Sequence, residues 1–229
     1  MAPSRAGRSV VHDDQLAFIA LALARNALRF GHFTLKSGRE SPYFFNAGLF
    51  SDGEAAAILG RCYAAALVRS GIAFDMLFGP AYKGIPLVTA AAIALSDLHR
   101  RSVPYAFNRK EAKEHGEGGT IVGSPLAGRV VIVDDVIAAG TAKREAIDLI
   151  RAAGATPVAL LLALDRQERG RGAQSAAQEL EAEHGIRCVS ILTLGSLVEA
   201  LAHRKSDHFA VSEEQLTALR AYQARYGVL

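Results

Sequence analysis

The sequence predicts an α/β fold in which a central, mostly parallel sheet is flanked by helices. Two patterns carry this prediction. Short apolar runs at 74–78, 103–107, 130–133, 158–164 and 187–194 alternate with longer segments of helical character, and strands that alternate with helices favour a parallel sheet covered on both faces. The run at 130–133, VVIV, is continuous and β-branched, as expected of a strand buried on both sides. Such sheets take ligands beyond the carboxyl ends of their strands, so the loops after these runs are where chemistry is expected.

Taken in order, Asp13 and Asp14 predict the cap of a first helix with Leu16, Ile19, Ala20, Leu23 and Ala27 on one face. Residues 32–46 carry Gly, Ser and Pro punctuation between extended-type residues. A helix is expected over 52–69, a strand over 74–78 ending in Gly79 and Pro80, a helix over 84–98 and a strand over 103–107. Residues 108–119 are polar and glycine-rich, with too little apolar content to join a core, and read as a long mobile loop. After the strand at 130–133 come a helix (141–153), a strand (158–164), a helix (174–184), a strand (187–194) and a closing amphipathic helix (212–226). No repeat or linker divides the chain, so one domain over 1–229 is expected, with 1–11 as a disordered tail.

Composition limits the function. Half of the 229 residues are apolar, enough for a sizeable core. The formal charge is only +3 and no run of Lys and Arg could track a phosphate backbone, which argues against a nucleic-acid partner. The richest apolar stretch, 86–95, is about half of what a membrane span needs. The basic residues near the start have no apolar stretch behind them, so no secretory signal is expected. Cys62 and Cys188 lie far apart among apolar neighbours, which suits buried thiols in a reducing, cytoplasmic compartment. His12, His32, His99, His184, His203 and His208 show no metal-site spacing, and Arg169 and Arg171 read as surface charges.

The string VVIVDDVIAAGT at 130–141 is the most informative. A buried strand delivers Asp134 and Asp135 at its carboxyl end, and a loop of small residues then opens a helix. Small side chains let the backbone N–H groups of residues 138–142 close around a phosphate, helped by the positive end of the helix dipole. Carboxylates suit hydroxyl groups or a hydrated magnesium ion instead. A ligand with a phosphate beside a diol is a ribose phosphate. The plainer alternative is that the acidic pair only caps the helix and Gly140 only eases a turn. The string lacks the Lys-Ser/Thr of a P-loop and the glycine spacing of a dinucleotide fingerprint.

This string resembles the phosphoribosyl-diphosphate motif of type I phosphoribosyltransferases. Four further segments resemble those of orotate phosphoribosyltransferases, in that family's order. They are FTLKSGR at 33–39 with SPYFFN at 41–46, GPAYKG at 79–84, NRKEAKEHGEGG at 108–119 and LDRQERG at 164–170. The resemblance covers about residues 30–170. It implies the type I fold, with a small hood built largely from the N-terminal segment. It also implies transfer of phosphoribose from 5-phosphoribosyl 1-diphosphate to orotate, a step of pyrimidine nucleotide synthesis.

The resemblance implies roles residue by residue. Asp134 and Asp135 would hold ribose hydroxyls, and Val136, Ile137, Ala138, Ala139, Gly140, Thr141 and Ala142 would wrap the 5′-phosphate. Lys36, Tyr82 and Lys83 would meet the diphosphate. In the loop, Arg109, Lys110, Lys113 and His115 would close over the departing diphosphate, with Lys113 assisting the transition state. Phe44, Phe45, Ala138 and Arg166 would meet orotate. An arginine can grip the orotate carboxylate through two parallel hydrogen bonds, which lysine cannot. Magnesium is implied as cofactor, held through substrate and water and not directly by protein. A homodimer is implied, with the loop shared across its interface. The family commonly has threonine where this chain has Ala138, so a side-chain contact near the base is missing and the backbone amide remains. A phosphoribosyltransferase for another base, and a non-enzymatic regulator sensing phosphoribosyl diphosphate, are the alternatives.

Overall fold

The computed structural model describes residues 11–35, 37–110, 120–137, 141–170, 172–203, 209 and 211–228. The expectations for the tail, for most of the loop, and for Ala138, Ala139 and Gly140 therefore lie outside the described residues.

Six strands form the central sheet, in the order β5-β4-β3-β6-β7-β8. They are β3 (Met76–Gly79), β4 (Tyr105–Asn108), β5 (Ile121–Gly123), β6 (Arg129–Asp134), β7 (Thr156–Asp165) and β8 (Arg187–Thr193). All neighbours are parallel except the edge pair β4–β5. Alternation along β6 explains why its sequence is apolar throughout. Val131 and Val133 pack into the core on one face, and Val130 and Ile132 into that on the other. The first core is covered by α1 (Asp13–Ala24), α2 (Gly53–Arg69), α3 (Gly84–His99), α6 (Leu194–His203) and α7 (Glu213–Tyr226). The second is closed by α4 (Thr141–Ala152) through Ala146, Ile147 and Ile150, and by α5 (Ala176–His184) through Leu180.

Most expected elements form within two or three residues of their predicted ends, because their stop signals are chemical. Asp52 caps α2, accepting from the Ala55 amide at 2.8 Å, and Ser212 caps α7, accepting from the Gln215 amide at 3.1 Å. Three expectations need correction. In α1 the capping position is His12, whose amide donates to Gln15, while Asp13 and Asp14 fall in the first turn. The buried face of α1 is Phe18, Ile19, Leu21 and Ala22, with Ala20 exposed. Helix α6 and strand β5 were not foreseen. Leu194 to His203 is as apolar as β8; Thr193 caps it, its hydroxyl accepting from the Ser196 amide at 3.0 Å, and burial of Leu197, Val198 and Leu201 holds it as a helix.

A separate antiparallel hairpin, β1 (Leu28–Thr34) with β2 (Glu40–Phe45), supplies the expected hood. The C-terminal helix shares in it: the rings of Tyr43 and Tyr222 meet edge-on at 6.0 Å. No helix among the described residues is long and apolar enough to cross a membrane.

Candidate active site

The carboxyl ends of β3, β4, β6 and β7 bring the candidate residues together at one edge of the sheet. The turn after β3 is shaped by close approach. A Cβ on Gly79 would stand 2.3 Å from the Gly84 carbonyl oxygen, and one on Gly84 would stand 2.6 Å from Pro80 and 3.0 Å from the Val133 carbonyl. Only glycine fits at either end. The Ala81–Tyr82 peptide bond in this turn is cis, and Asn108 at the end of β4 accepts from the Ala81 amide at 2.8 Å. Tyr82 is left 65 % exposed, with the Lys110 ammonium 5.0 Å from its ring centre. The Arg109 amide donates to the Thr120 carbonyl at 2.7 Å and so closes the base of the loop.

Lys83, from the same turn, reaches across to Asp135, with Nζ 2.7 Å from Oδ2. Asp134 and Asp135 are both buried. Each turns one oxygen back on the chain: Asp134 Oδ1 accepts from the Asp135 amide at 2.8 Å, and Asp135 Oδ1 from the Val136 amide at 2.7 Å. The Tyr63 hydroxyl, from α2, donates to the Asp134 carbonyl at 2.8 Å and ties the strand end to the helix layer. The pair is therefore not a simple helix cap; its outer oxygens face cations. Asp134 Oδ2 lies 2.6 Å from the ammonium of Lys143, in the first turn of α4. Burial pushes the Asp134 carboxyl above its ordinary range, and Lys143 offsets only part of that rise. Val136 and Ile137 pack against opposite cores, and Ala142 is exposed at the start of α4.

Arg166 follows β7, its side chain only 17 % exposed. Its guanidinium lies 4.2 Å from the Tyr43 ring centre, Nε donates to Glu168 Oε1 at 2.7 Å, and Nη2 donates to Ser41 Oγ at 3.1 Å. Tyr222 Oη donates to the same Glu168 oxygen at 2.8 Å. Burial works against the Arg166 charge, and Tyr43 and Glu168 more than offset it. The Nε edge of the guanidinium is thus engaged by protein, and among the described residues no hydrogen bond engages Nη1. Nη2 is also engaged, by Ser41, Tyr222 and Glu168, so a ligand carboxylate would meet Nη1, not an open fork.

The structure splits Phe44 from Phe45. Phe45 turns inward, 6.0 Å from Phe18 and 6.2 Å from Phe50. Phe44 takes the other face, 5.6 Å from Phe33, with Arg29 5.5 Å from its ring centre. Consecutive strand residues must diverge in this way. Among the described residues, the hairpin side chains that meet Arg166 are Ser41 and Tyr43, not the two phenylalanines. Lys36, Lys113 and His115 lie outside the described residues, and the Thr141 side chain is not described.

Sequence reasoning missed five of these groups. Lys143 had one available signal, a cation in the first turn of a helix, where the dipole disfavours it. Asn108 and Glu168 had the signal of lying in the family-like segments at 108–119 and 164–170, while Tyr63 and Tyr222 had none, since each acts through a partner distant in sequence. Among the described residues, no group of three or more His, Cys, Asp or Glu side chains could hold a metal.

Residues 49–183 match the phosphoribosyl transferase domain family. The chain is 60 % identical over 214 residues to the orotate phosphoribosyltransferase of Thioalkalivibrio sulfidiphilus, covering 93 % of this chain and 98 % of that one. The crystal structure of orotate phosphoribosyltransferase from Francisella tularensis superposes with a TM-score of 0.81 at 38 % identity, covering 92 % of this chain and 99 % of the other. That of Mycobacterium tuberculosis in complex with 5-phospho-α-D-ribosyl 1-diphosphate gives 0.57 at 25 % identity, covering 80 % and 98 %. With an acidic strand end, a glycine-bounded lysine turn and a clamped arginine on one sheet edge, and with these likenesses along nearly its whole length, the chain belongs to the orotate phosphoribosyltransferase family of type I phosphoribosyltransferases.

Proposed function

We propose that the site transfers the phosphoribosyl group of 5-phosphoribosyl 1-diphosphate to N1 of orotate, the step that forms orotidine 5′-monophosphate in pyrimidine nucleotide synthesis. The observation that carries this reading is the shared sheet edge, where Asp134, Asp135 and Lys83 interlock beside the strand that delivers Arg166.

The bond from C1 to the diphosphate breaks with its electron pair leaving on the diphosphate oxygen. The bond from N1 to C1 forms, and the N1 proton is released. Positive charge grows on the ribose ring and negative charge on the leaving group, so stabilising groups are needed on the diphosphate side. Lys83, Lys110, Lys36, Arg109, Lys113 and His115 are the cations proposed for that side, with Lys113 assisting the transition state. Ionised Asp134 and Asp135 accept ribose hydroxyls and fix C1 against the base. Backbone amides of residues 138–142 hold the 5′-phosphate, and that of Ala138 serves the base in place of a hydroxyl. Magnesium neutralises the diphosphate when bound. Asp134 and Asp135 would accept hydrogen bonds from the water of a magnesium ion carried by the substrate. Closure of residues 108–119 excludes water that would hydrolyse the sugar.

We also propose a cytoplasmic homodimer in which that loop serves the neighbouring site. Support comes from a small-residue face on α2 and α3, where Ile93 is 57 % and Leu98 56 % exposed beside Ala56, Ala57, Ala90 and Ala94.

Product detection from orotate, phosphoribosyl diphosphate and magnesium, comparing wild type with Lys113→Ala, tests the reading. Orotidine 5′-monophosphate is expected from the wild type, with turnover sharply reduced in the variant and abolished by a chelator. Turnover of hypoxanthine or adenine without orotate would overturn the choice of base, and unchanged turnover in Lys113→Ala would overturn the loop's role.

A further inference from the structure

Lys143 is a buried cation where the local structure disfavours one. It stands in the first turn of α4, at the positive end of the helix dipole, with its side chain 9 % exposed. A buried ammonium without a partner is strongly unfavourable, and so is a buried carboxylate. Here the two answer each other, Nζ to Oδ2 of Asp134 at 2.6 Å. Among the described residues, the neighbours leave no substitute for either. Tyr63 of α2 spends its hydroxyl on the Asp134 main-chain oxygen, and Lys83, from the turn before α3, is paired with Asp135. Asp135 itself is a second negative charge beside Asp134 and does not relieve it.

We propose that Lys143 is a positioning residue for the ribose site: its ammonium holds the Asp134 carboxylate as a fixed, anionic acceptor for ribose hydroxyls. The proposal rests on the reading of Asp134 as a ribose ligand given above. An ionised carboxylate only accepts hydrogen bonds, whereas a protonated one turns an oxygen into a donor. With one oxygen on Lys143 and the other on the Asp135 amide, the rotation of the group is fixed. Burial and the charge of Asp135 both push the Asp134 carboxyl up, and Lys143 pulls it down. Without the ammonium, Asp134 takes up a proton at higher pH and is no longer a purely accepting group.

The test is the pH profile of kcat/KM for phosphoribosyl diphosphate in Lys143→Gln and Lys143→Arg, with calorimetric binding of magnesium phosphoribosyl diphosphate beside it. An opposite charge within about 4–6 Å lowers an aspartate pKa by about 1–3 units, so its removal moves the acid limb up by a like amount. In Lys143→Gln, kcat/KM should fall on the acid side of the profile and recover toward the wild-type value as pH rises, the acid limb standing about 1–3 units higher. The loss should lie in KM for phosphoribosyl diphosphate, with KM for orotate unmoved. Lys143→Arg should keep the wild-type acid limb. A uniform loss at every pH, or none, overturns the proposal, because a purely structural lysine would not move the limb. Should the glutamine variant fail to fold, Lys143→Met carries the same test, filling the space without a hydrogen-bonding requirement. Asp134→Asn separates the two levels. If it binds phosphoribosyl diphosphate like the wild type, the ribose reading itself falls. If it loses affinity while Lys143→Gln keeps the wild-type profile, only the role of Lys143 falls.

Discussion

Replacing Arg166 with lysine keeps the positive charge and removes the planar guanidinium, so it separates geometry from electrostatics. In the wild type the guanidinium meets four described protein partners, Glu168, Ser41, Tyr222 and Tyr43, and leaves Nη1 toward a ligand. A lysine ammonium can meet Glu168 or a ligand carboxylate, but it cannot span both with parallel bonds. One charge-assisted hydrogen bond to orotate is lost, about 1.5–3 kcal/mol, which corresponds to a rise in KM for orotate of roughly tenfold to 150-fold. Glu168 is not stranded, because Arg39 still reaches its other oxygen at 3.2 Å and Tyr222 donates to the first. The fold should therefore survive, and KM for phosphoribosyl diphosphate should stay within about twofold, since no phosphate-binding group is touched. Initial rates from the loss of orotate absorbance, varying each substrate at saturation of the other, measure both constants. An unchanged KM for orotate would refute the assignment. So would equal rises in both constants, which would point to general damage instead.

Tyr222→Phe removes the hydroxyl that donates to Glu168 at 2.8 Å; unfolding should become easier by about 1–2 kcal/mol, and KM for orotate should rise by less than in Arg166→Lys, both read from a thermal melt and steady-state rates. Gly60→Val puts a Cβ 2.4 Å from the Ala90 carbonyl oxygen, where α2 and α3 cross. That overlap should cost about 1–3 kcal/mol, more than the helix-propensity gain of under ~1 kcal/mol, and lower Tm by roughly 2–10 °C; an unchanged Tm would contradict the close crossing. Burial pushes the thiols of Cys62 and Cys188 up to about 12. A raised thiol pKa means less thiolate below it, on the order of one part in ten thousand at pH ~8, so native protein should resist iodoacetamide there while unfolded protein labels at both sites, as mass spectrometry would read.

The order of elements and the location of the site can be read from the chain alone, for reasons that are local. A β-branched run such as 130–133 is favourable only in a strand covered on both faces, and Asp52 and Ser212 mark helix starts through bonds made within four residues. Asp134, Asp135, Tyr82, Lys83 and Arg166 were identifiable because each directly follows such a strand or its turn. Other features depend on partners far away along the chain. That Leu194–His203 is as apolar as the strand before it hides the helix in composition; the Thr193–Ser196 cap and the burial of Leu197 and Leu201 make it one. The aromatic pair at 44–45 reads as one unit, yet the pleat sends one ring to the core and the other to Arg29. Arg166 reads as an open fork, yet Glu168, Ser41 and Tyr222 are folded onto it from three elements. Lys143 is an unremarkable surface-type residue until α4 docks and leaves it nowhere to go but Asp134. Strand, cap and turn chemistry acts over a few residues, so it fixes the catalytic edge of the sheet in the sequence. The pairing of buried charges acts across about 5 Å of space and any length of chain, so only the packed tertiary structure decides which lysine serves which carboxylate.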